Sequence, residues 1–191
     1  SLYDAAADAF RIVKRFNRLA VDIEEDHAGN VWFATQGGGL WKLSAKGQWR
    51  QYTCHTASIG NDNINCVREG FGGHLYVATD NGLYEYRPST DSFKRIKIDS
   101  DDQAFMGLVF NDDELWLSSV SELIKLVPGG RTEIYNRYDG LLDGPARPNA
   151  CMMAPAGRVW MGSVHGTNPF YPYEIQATKN EPRVLNTALF L

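Results

Sequence analysis

The residues of this chain that could do chemistry are few and scattered. His27, His55, His74 and His165 fall in turns or connectors, none beside a Gly-x-Ser-x-Gly elbow. Hydrolysis needs paired carboxylates on facing elements, or a nucleophile with a His and an acid. Such a site would have to assemble here from distant loops. Glu24-Glu25-Asp26 and Asn111-Asp112-Asp113-Glu114 are acidic. Neither has the alternating spacing and terminal bidentate Glu of a calcium loop, so solvated turns are expected. Gly37-Gly38-Gly39 is followed by no Lys-Ser/Thr pair and no helix start, so it serves turn geometry and not phosphate binding. Cys54, Cys66 and Cys151 are too few and too widely spaced for a disulfide scaffold or a zinc site. Free, mostly buried thiols are expected, with one bridged pair left open in an oxidising compartment. The sequence thus assigns no catalytic residue, no metal and no cofactor. It leaves recognition chemistry: Arg147 as a carboxylate clamp, Tyr138 as an aromatic and His165 as a switchable donor.

The elements that must position these groups are announced by a repeat. Trp32 recurs as Tyr76, Trp116 and Trp160, at steps of 44, 40 and 44 residues. Around each lies a β-branched or aromatic run flanked by turn formers, such as Val31-Trp32-Phe33-Ala34-Thr35 between Asp26-His27-Ala28-Gly29 and Gln36-Gly37-Gly38-Gly39. A period of about 40–45 residues with four short strands is the signature of a β-propeller blade. The fold class expected is all-β: about four blades of four antiparallel strands, a fragment of a larger propeller. Because the four aromatics sit in equivalent mid-strand positions, they are assigned to packing between blades. Trp41, Trp49 and Tyr171, outside that register, are the better candidates for exposed aromatics.

Taken in order, residues 1–19 are read as the outer strand of a preceding or closing blade. Tyr3, Asp8 and Phe10 there align with Tyr86, Asp91 and Phe93. A short helix through Ala5-Ala6-Ala7 is the competing reading. Residues 20–63, 64–103 and 104–148 are read as three blades with their connectors. Residues 149–175 are an incomplete last blade, and 176–191 a linker followed by an apolar strand. Both ends read as cuts through a longer polypeptide.

Bulk properties exclude several partners. A net charge of −4 with Lys and Arg scattered among acids gives no footprint for nucleic acid or an anionic membrane surface. Nor is there a run of about eighteen apolar residues. Contact with a membrane is expected only through segments C-terminal to this chain.

Residues 23–39 (IEEDHAGNVWFATQGGG) and their echo at 67–83 resemble the two-component regulator propeller repeat, whose usual form is I-x-x-D-x-x-G-x-[LIV]-W-[IV]-[GA]-T-x-x-G-[LI]. Asn61-Asp62-Asn63-Ile64 and Gly140-Leu141-Leu142 are similar to that family's inter-blade connectors. The resemblance covers residues 20–191 and is weakest in the third repeat, where Ser118-Ser119 replaces the Gly/Ala-Thr pair. It implies the extracytoplasmic, periplasmic sensor of a bacterial hybrid two-component histidine kinase or related membrane receptor, such as one with a diguanylate cyclase output. It also implies an immunoglobulin-like module begun by residues 176–191, a carbohydrate or other small ligand, and a homodimer in the parent receptor.

In a propeller, turns between the second and third strands of each blade gather with the inter-blade connectors on one face. Here these are Gln36, Asp80-Asn81, Ser121 and His165-Gly166, with residues 55–63, 99–103 and 138–147. The candidate ligand-binding residues are therefore Tyr138, Arg147, His165, Gln36, Asp80, Asn81 and His55. Polar, amide and aromatic groups converging on a concave face suit a hydroxyl-rich ligand. A non-catalytic scaffold for protein contact or dimerisation is the first alternative reading, and a propeller lyase or glycosidase the second.

Overall fold

The computed structural model of the protein describes residues 1–127 and 131–175. The linker and final apolar strand expected at 176–191 lie outside the described residues. Glycine and Asp/Asn turns cut the chain into short antiparallel strands that meander from the axis outward. Blade 1 comprises β3 (Ala20–Glu25), β4 (Val31–Thr35), β5 (Leu40–Leu43) and β6 (Trp49–Tyr52). Blade 2 is built from β7 (Ile64–Glu69), β8 (Leu75–Thr79), β9 (Gly82–Arg87) and β10 (Ser92–Ile96). Blade 3 has β11 (Phe105–Asn111), β12 (Glu114–Ser119), β13 (Leu123–Val127) and β14 (Arg131–Tyr135). Blade 4 has three described strands, β15 (Ala146–Met153), β16 (Val159–Ser163) and β17 (Gly166–Phe170). The molecule is an all-β, four-bladed propeller arrangement. Among the described residues no helix is long and apolar enough to cross a membrane.

A strand's period of two sends alternate residues to the two neighbouring blades. In β8 this buries all five residues. Val77 joins the cluster shared with Trp32, Ala34 and Tyr52 of blade 1, while Tyr76 and Ala78 join Leu108, Leu115 and Leu117 of blade 3. A third cluster sets Val109, Trp116 and Leu123 against Val159 and Met161 of blade 4. Trp32 and Trp116 are fully buried and Tyr76 is buried, whereas Trp160 is half-buried with the Arg158 guanidinium 5.8 Å from its ring. Trp41 and Trp49 are half-buried, not exposed: Phe16 inserts between them, with centroid separations of 5.7 and 6.0 Å, and Lys14 caps Trp41 at 4.4 Å.

The chain opens on a hairpin of β1 (Leu2–Asp4) and β2 (Ala9–Arg11), with the alanine run in its turn. Tyr3 pairs with Phe10 across it, as Tyr86 pairs with Phe93 in blade 2. Asp8 and Asp91 both have positive φ, 48° and 49°, and each accepts a hydrogen bond from its tyrosine, at 2.5 and 2.6 Å.

In blade 4, β17 ends at Phe170, and Pro172 begins a 3-10 turn, Pro172–Glu174. Its fixed φ and missing N–H suit the first position of a helical turn. All three cysteines are free, but Cys54 is exposed because the connector carries it outside the blades.

Candidate functional site

Turns and connectors are tied together at one end of the molecule by main-chain bonds. Gly39 N donates to Asp62 O at 2.9 Å, Gly82 N to Gln103 O at 2.7 Å and Val164 N to Pro145 O at 3.1 Å. In blade 3 the connector's Asp102 carboxylate replaces a carbonyl, accepting from Ser121 N, Ser121 Oγ and Ser119 Oγ at 2.8–2.9 Å. Desolvation pushes the Asp102 pKa up, and the serine bonds outweigh it, so the carboxyl ends below its ordinary value.

The predicted binding residues part company on this face. Gln36 Nε2 donates to Ile64 O and to Asn65 Oδ1, at 3.1 and 2.8 Å. Asp80 accepts from Asn63 Nδ2 and Asn65 Nδ2, at 2.7 and 2.8 Å, and Asn65 also reaches Phe105 O at 3.0 Å. Gln36 and Asp80 thus belong to one amide–carboxylate relay from blade 1 to blade 3. Asn81 is exposed and receives Arg95 at 3.5 Å. His55 is exposed on the connector between blades 1 and 2. His165 is exposed, its Nδ1–H donating to Asp143 O at 2.9 Å.

Arg147 is exposed but lies in β15, not in the connector. That strand begins three residues earlier than its hydrophobic pattern suggests, because it carries a large bulge. Ala146 pairs with Ser163 and Cys151 with Met161, whereas the other inner strands slip by one residue. Pro148 within the bulge is tolerated because it has no ladder bond to lose.

The bulge sends Asn149, at φ 54°, to the axis. Its Nδ2 donates to Asp22 Oδ1 at 2.8 Å, and its Oδ1 accepts from Arg68 Nη2 at 2.5 Å. Arg68 Nη1 donates to Asp22 Oδ2 at 2.6 Å, and Val67 N donates to the same oxygen at 2.9 Å. Asp22, only 6% exposed, is fully hydrogen-bonded by blades 2 and 4. No sequence motif marked this axial triad, because Asp22 is one of three acids in β3, with Glu24 and Glu25, and nothing in the sequence sets it apart.

A cavity of about 430 Å³ opens between blades 3 and 4 on the turn face. Its walls are the β12–β13 turn with Ser119, Ser121 and Glu122, the connector with Tyr138, Leu142 and Asp143, and Ser163 and Asn168 of blade 4. A second hollow of about 650 Å³ adjoins it, sharing Leu123, Tyr138, Leu141 and Asn168. Of the seven predicted residues, Tyr138 alone lines these cavities. The residue is 83% exposed, and its ring is covered on one side by the Arg137 guanidinium at 4.8 Å. Asn136 caps the 3-10 turn Arg137–Asp139 that presents it, accepting from Tyr138 N at 2.9 Å. The connector is held to blade 4 by Leu142 N donating to Asn168 Oδ1 at 2.8 Å. Such a mixed, hydroxyl- and amide-bearing concavity has the size of a small-molecule site.

No family model matches the sequence, and neither does any curated protein. Solved structures do. The extracellular domain of the proposed hybrid two-component system BT3049 of B. thetaiotaomicron superposes with a TM-score of 0.71 at 17% identity, over 82% of this chain and 23% of its own length. That of BT4673, from the same organism, gives 0.64 at 14% identity, over 81% and 21%. The chain shares its propeller fold with part of each of these extracellular domains. Virginiamycin B lyase of Staphylococcus aureus is also similar, with a TM-score of 0.55 at 16% identity, over 81% of this chain and 56% of the lyase. The chain therefore spans under a quarter of the two extracellular domains. The cavity sits where the repeats of this chain differ most, between the third and fourth blades.

Proposed function

We propose that this chain is a propeller segment of the extracytoplasmic sensor of a transmembrane two-component receptor. Its cleft between blades 3 and 4 binds a hydroxyl-rich small ligand, a carbohydrate fragment above all. The cavity of about 430 Å³ carries the reading: serine hydroxyls, Asn168 and the exposed Tyr138 surround a mostly apolar space of ligand size. The likeness in fold to the extracellular domains of BT3049 and BT4673 supports the receptor context. Ligand would favour one arrangement of blades 3 and 4, a population shift passed on to the rest of the receptor. The receptor is placed in the inner membrane with this segment in the periplasm, as a homodimer with a histidine kinase or diguanylate cyclase output.

The segment is read as non-catalytic. The His74 ring pairs with the Glu85 carboxylate at 2.7 Å, the His27 ring pairs with Glu69, and His165 is bonded to a carbonyl. None of these three imidazoles lines the cleft between blades 3 and 4.

Calorimetry against a panel of neutral and acidic oligosaccharides tests the proposal. A binder is expected, with Tyr138→Ala weakening it by about tenfold, or ~1.4 kcal/mol. No heat with any glycan, together with concentration-dependent dimerisation in sedimentation, would favour the scaffold. Release of a cleaved product would favour a lyase or glycosidase.

A further inference from the structure

We propose that Cys54, His55 and Asp62 form a binding site for a thiophilic divalent cation of the zinc class, on the connector between blades 1 and 2. One sulfur, one nitrogen and one oxygen ligand atom from these side chains lie within 4.8 Å of one another. Zinc accepts such mixed sets, with three protein ligands and a fourth position open to water or a partner group. Sulfur and imidazole ligands disfavour calcium and magnesium, which take oxygen.

The connector holds Cys54 and Asp62 together before any ion arrives, with His55 next to Cys54 in the same turn. Residues 53–57 close a turn, with Ala57 N donating to Thr53 O at 2.9 Å and Thr53 N to Thr56 Oγ1 at 3.0 Å. Ile59, 1% exposed, anchors the middle of the connector in the core shared by blades 1 and 2. Asp62 is fixed at its main chain, where its carbonyl accepts Gly39 N at 2.9 Å. Its carboxylate is divided between two tasks. Oδ1 accepts the Cys54 amide at 2.7 Å, and Oδ2 faces the Cys54 thiol at 3.5 Å. A cation entering between Oδ2 and Sγ would replace the thiol proton, which leaves to solvent. The adjacent His55 ring supplies the nitrogen. Cys54 and His55 are both exposed, so entry is open. The site is separate from the cleft between blades 3 and 4, and it belongs to one blade junction only.

The test uses the reduced, purified chain titrated with Co²⁺ and then with Zn²⁺ as competitor. Binding of one Co²⁺ with a thiolate-to-cobalt charge-transfer band is expected, bleached by Zn²⁺. Cys54→Ser should abolish the band. His55→Ala should weaken Zn²⁺, measured against a chromophoric chelator, by more than about tenfold. His55 is exposed, so that variant leaves the fold unchanged by near-UV circular dichroism even if Asp62→Asn loosens the connector. Absence of the band, its survival in Cys54→Ser, or unchanged Zn²⁺ affinity in His55→Ala would each overturn the site.

Discussion

A buried indole N–H must find an acceptor, and the repeat solves this differently in each blade. Trp32 is fully buried, and Asp26 accepts its Nε1–H at 2.7 Å while also taking Ala28 N and the amide groups of Asn30 at 2.9–3.0 Å. One carboxylate thus closes the turn and satisfies the tryptophan, the physical content of the D-x-x-G spacing. In blade 2 the aromatic is Tyr76 and Gly70 stands where Asp26 stood. In blade 3 Trp116 bonds Glu114 of its own strand at 3.1 Å. The first solution is legible in a sequence because it has a fixed spacing. The third is not, since a Glu two residues away looks like any solvated charge. Asp26→Ala should cost about 2 kcal/mol, since it strands a buried donor, read as a lower urea midpoint at unchanged slope. An unchanged midpoint would mean that water replaces the carboxylate. Asp26 also belongs to a set with Asp91 and Asp102. Desolvation raises the pKa of each, and hydrogen bonds outweigh it, from Trp32 and Asn30, from Tyr52 and Tyr86, and from Ser121 and Ser119 respectively. With folded pKa values below the ordinary carboxylate range, their stabilisation is complete above pH ~4 and is lost as pH falls through the folded values. Denaturant midpoints should therefore hold between about pH 7 and 5 and drop below about pH 4. A flat profile down to pH 2 would contradict this sign.

At the scale of elements, alternation predicted the blades well because burial on both faces leaves little choice of register. The start of the inner strand of blade 4 escaped that reading. Arg147-Pro148 resembles the end of a polar connector, and only tertiary contacts reveal it as part of a bulge that docks Asn149 on the axis. Pocket residues escaped for a related reason: Gln36 and Asp80 are polar and lie in turns, as ligand-binding groups do, yet the inner strand of blade 2 and the connector before it consume their hydrogen bonds. Arg68 is the element-level counterpart of Asp26, holding β3, β7 and β15 through Asp22 and Asn149. Arg68→Met keeps the length of the side chain but leaves the Asp22 carboxylate, 4% exposed, without its cation. A loss of roughly 3–5 kcal/mol is expected. The double variant Arg68→Met/Asp22→Leu should recover part of it, because removing both members of a buried pair is far less costly than removing one. If the single variant costs no more than an exposed ion pair does, under about 1 kcal/mol, the triad does not organise the axis.

Over the whole molecule, blades 3 and 4 meet at the axis, in the cluster of Trp116 with Val159 and Met161, and around the cavity, and what separates them at one should be felt at the others. Gly107 marks the axial contact. A Cβ there would lie 2.7 Å from Cys151 Sγ and 3.0 Å from Ser118 Oγ, atoms of two different blades. The cavity is farther out, walled by Ser119 and Glu122 on the blade 3 side and by Asn168 on the other. Interfaces packed to interior density shift as units and do not deform continuously. Gly107→Val should therefore press the inner strands apart at a cost of about 1–3 kcal/mol. It should also change the affinity of any glycan bound in the cleft, both by moving the blades and through Ser118, which lines the cavity beside the new side chain. The measurement is a pair: thermal unfolding for the overpacking, and calorimetry with the glycan that the unmodified chain binds. Lower stability with altered affinity is the outcome expected of a sensor whose cleft reports on blade arrangement. Lower stability with unaltered affinity would mean that the cleft is rigid and that the signal, if any, leaves by another route.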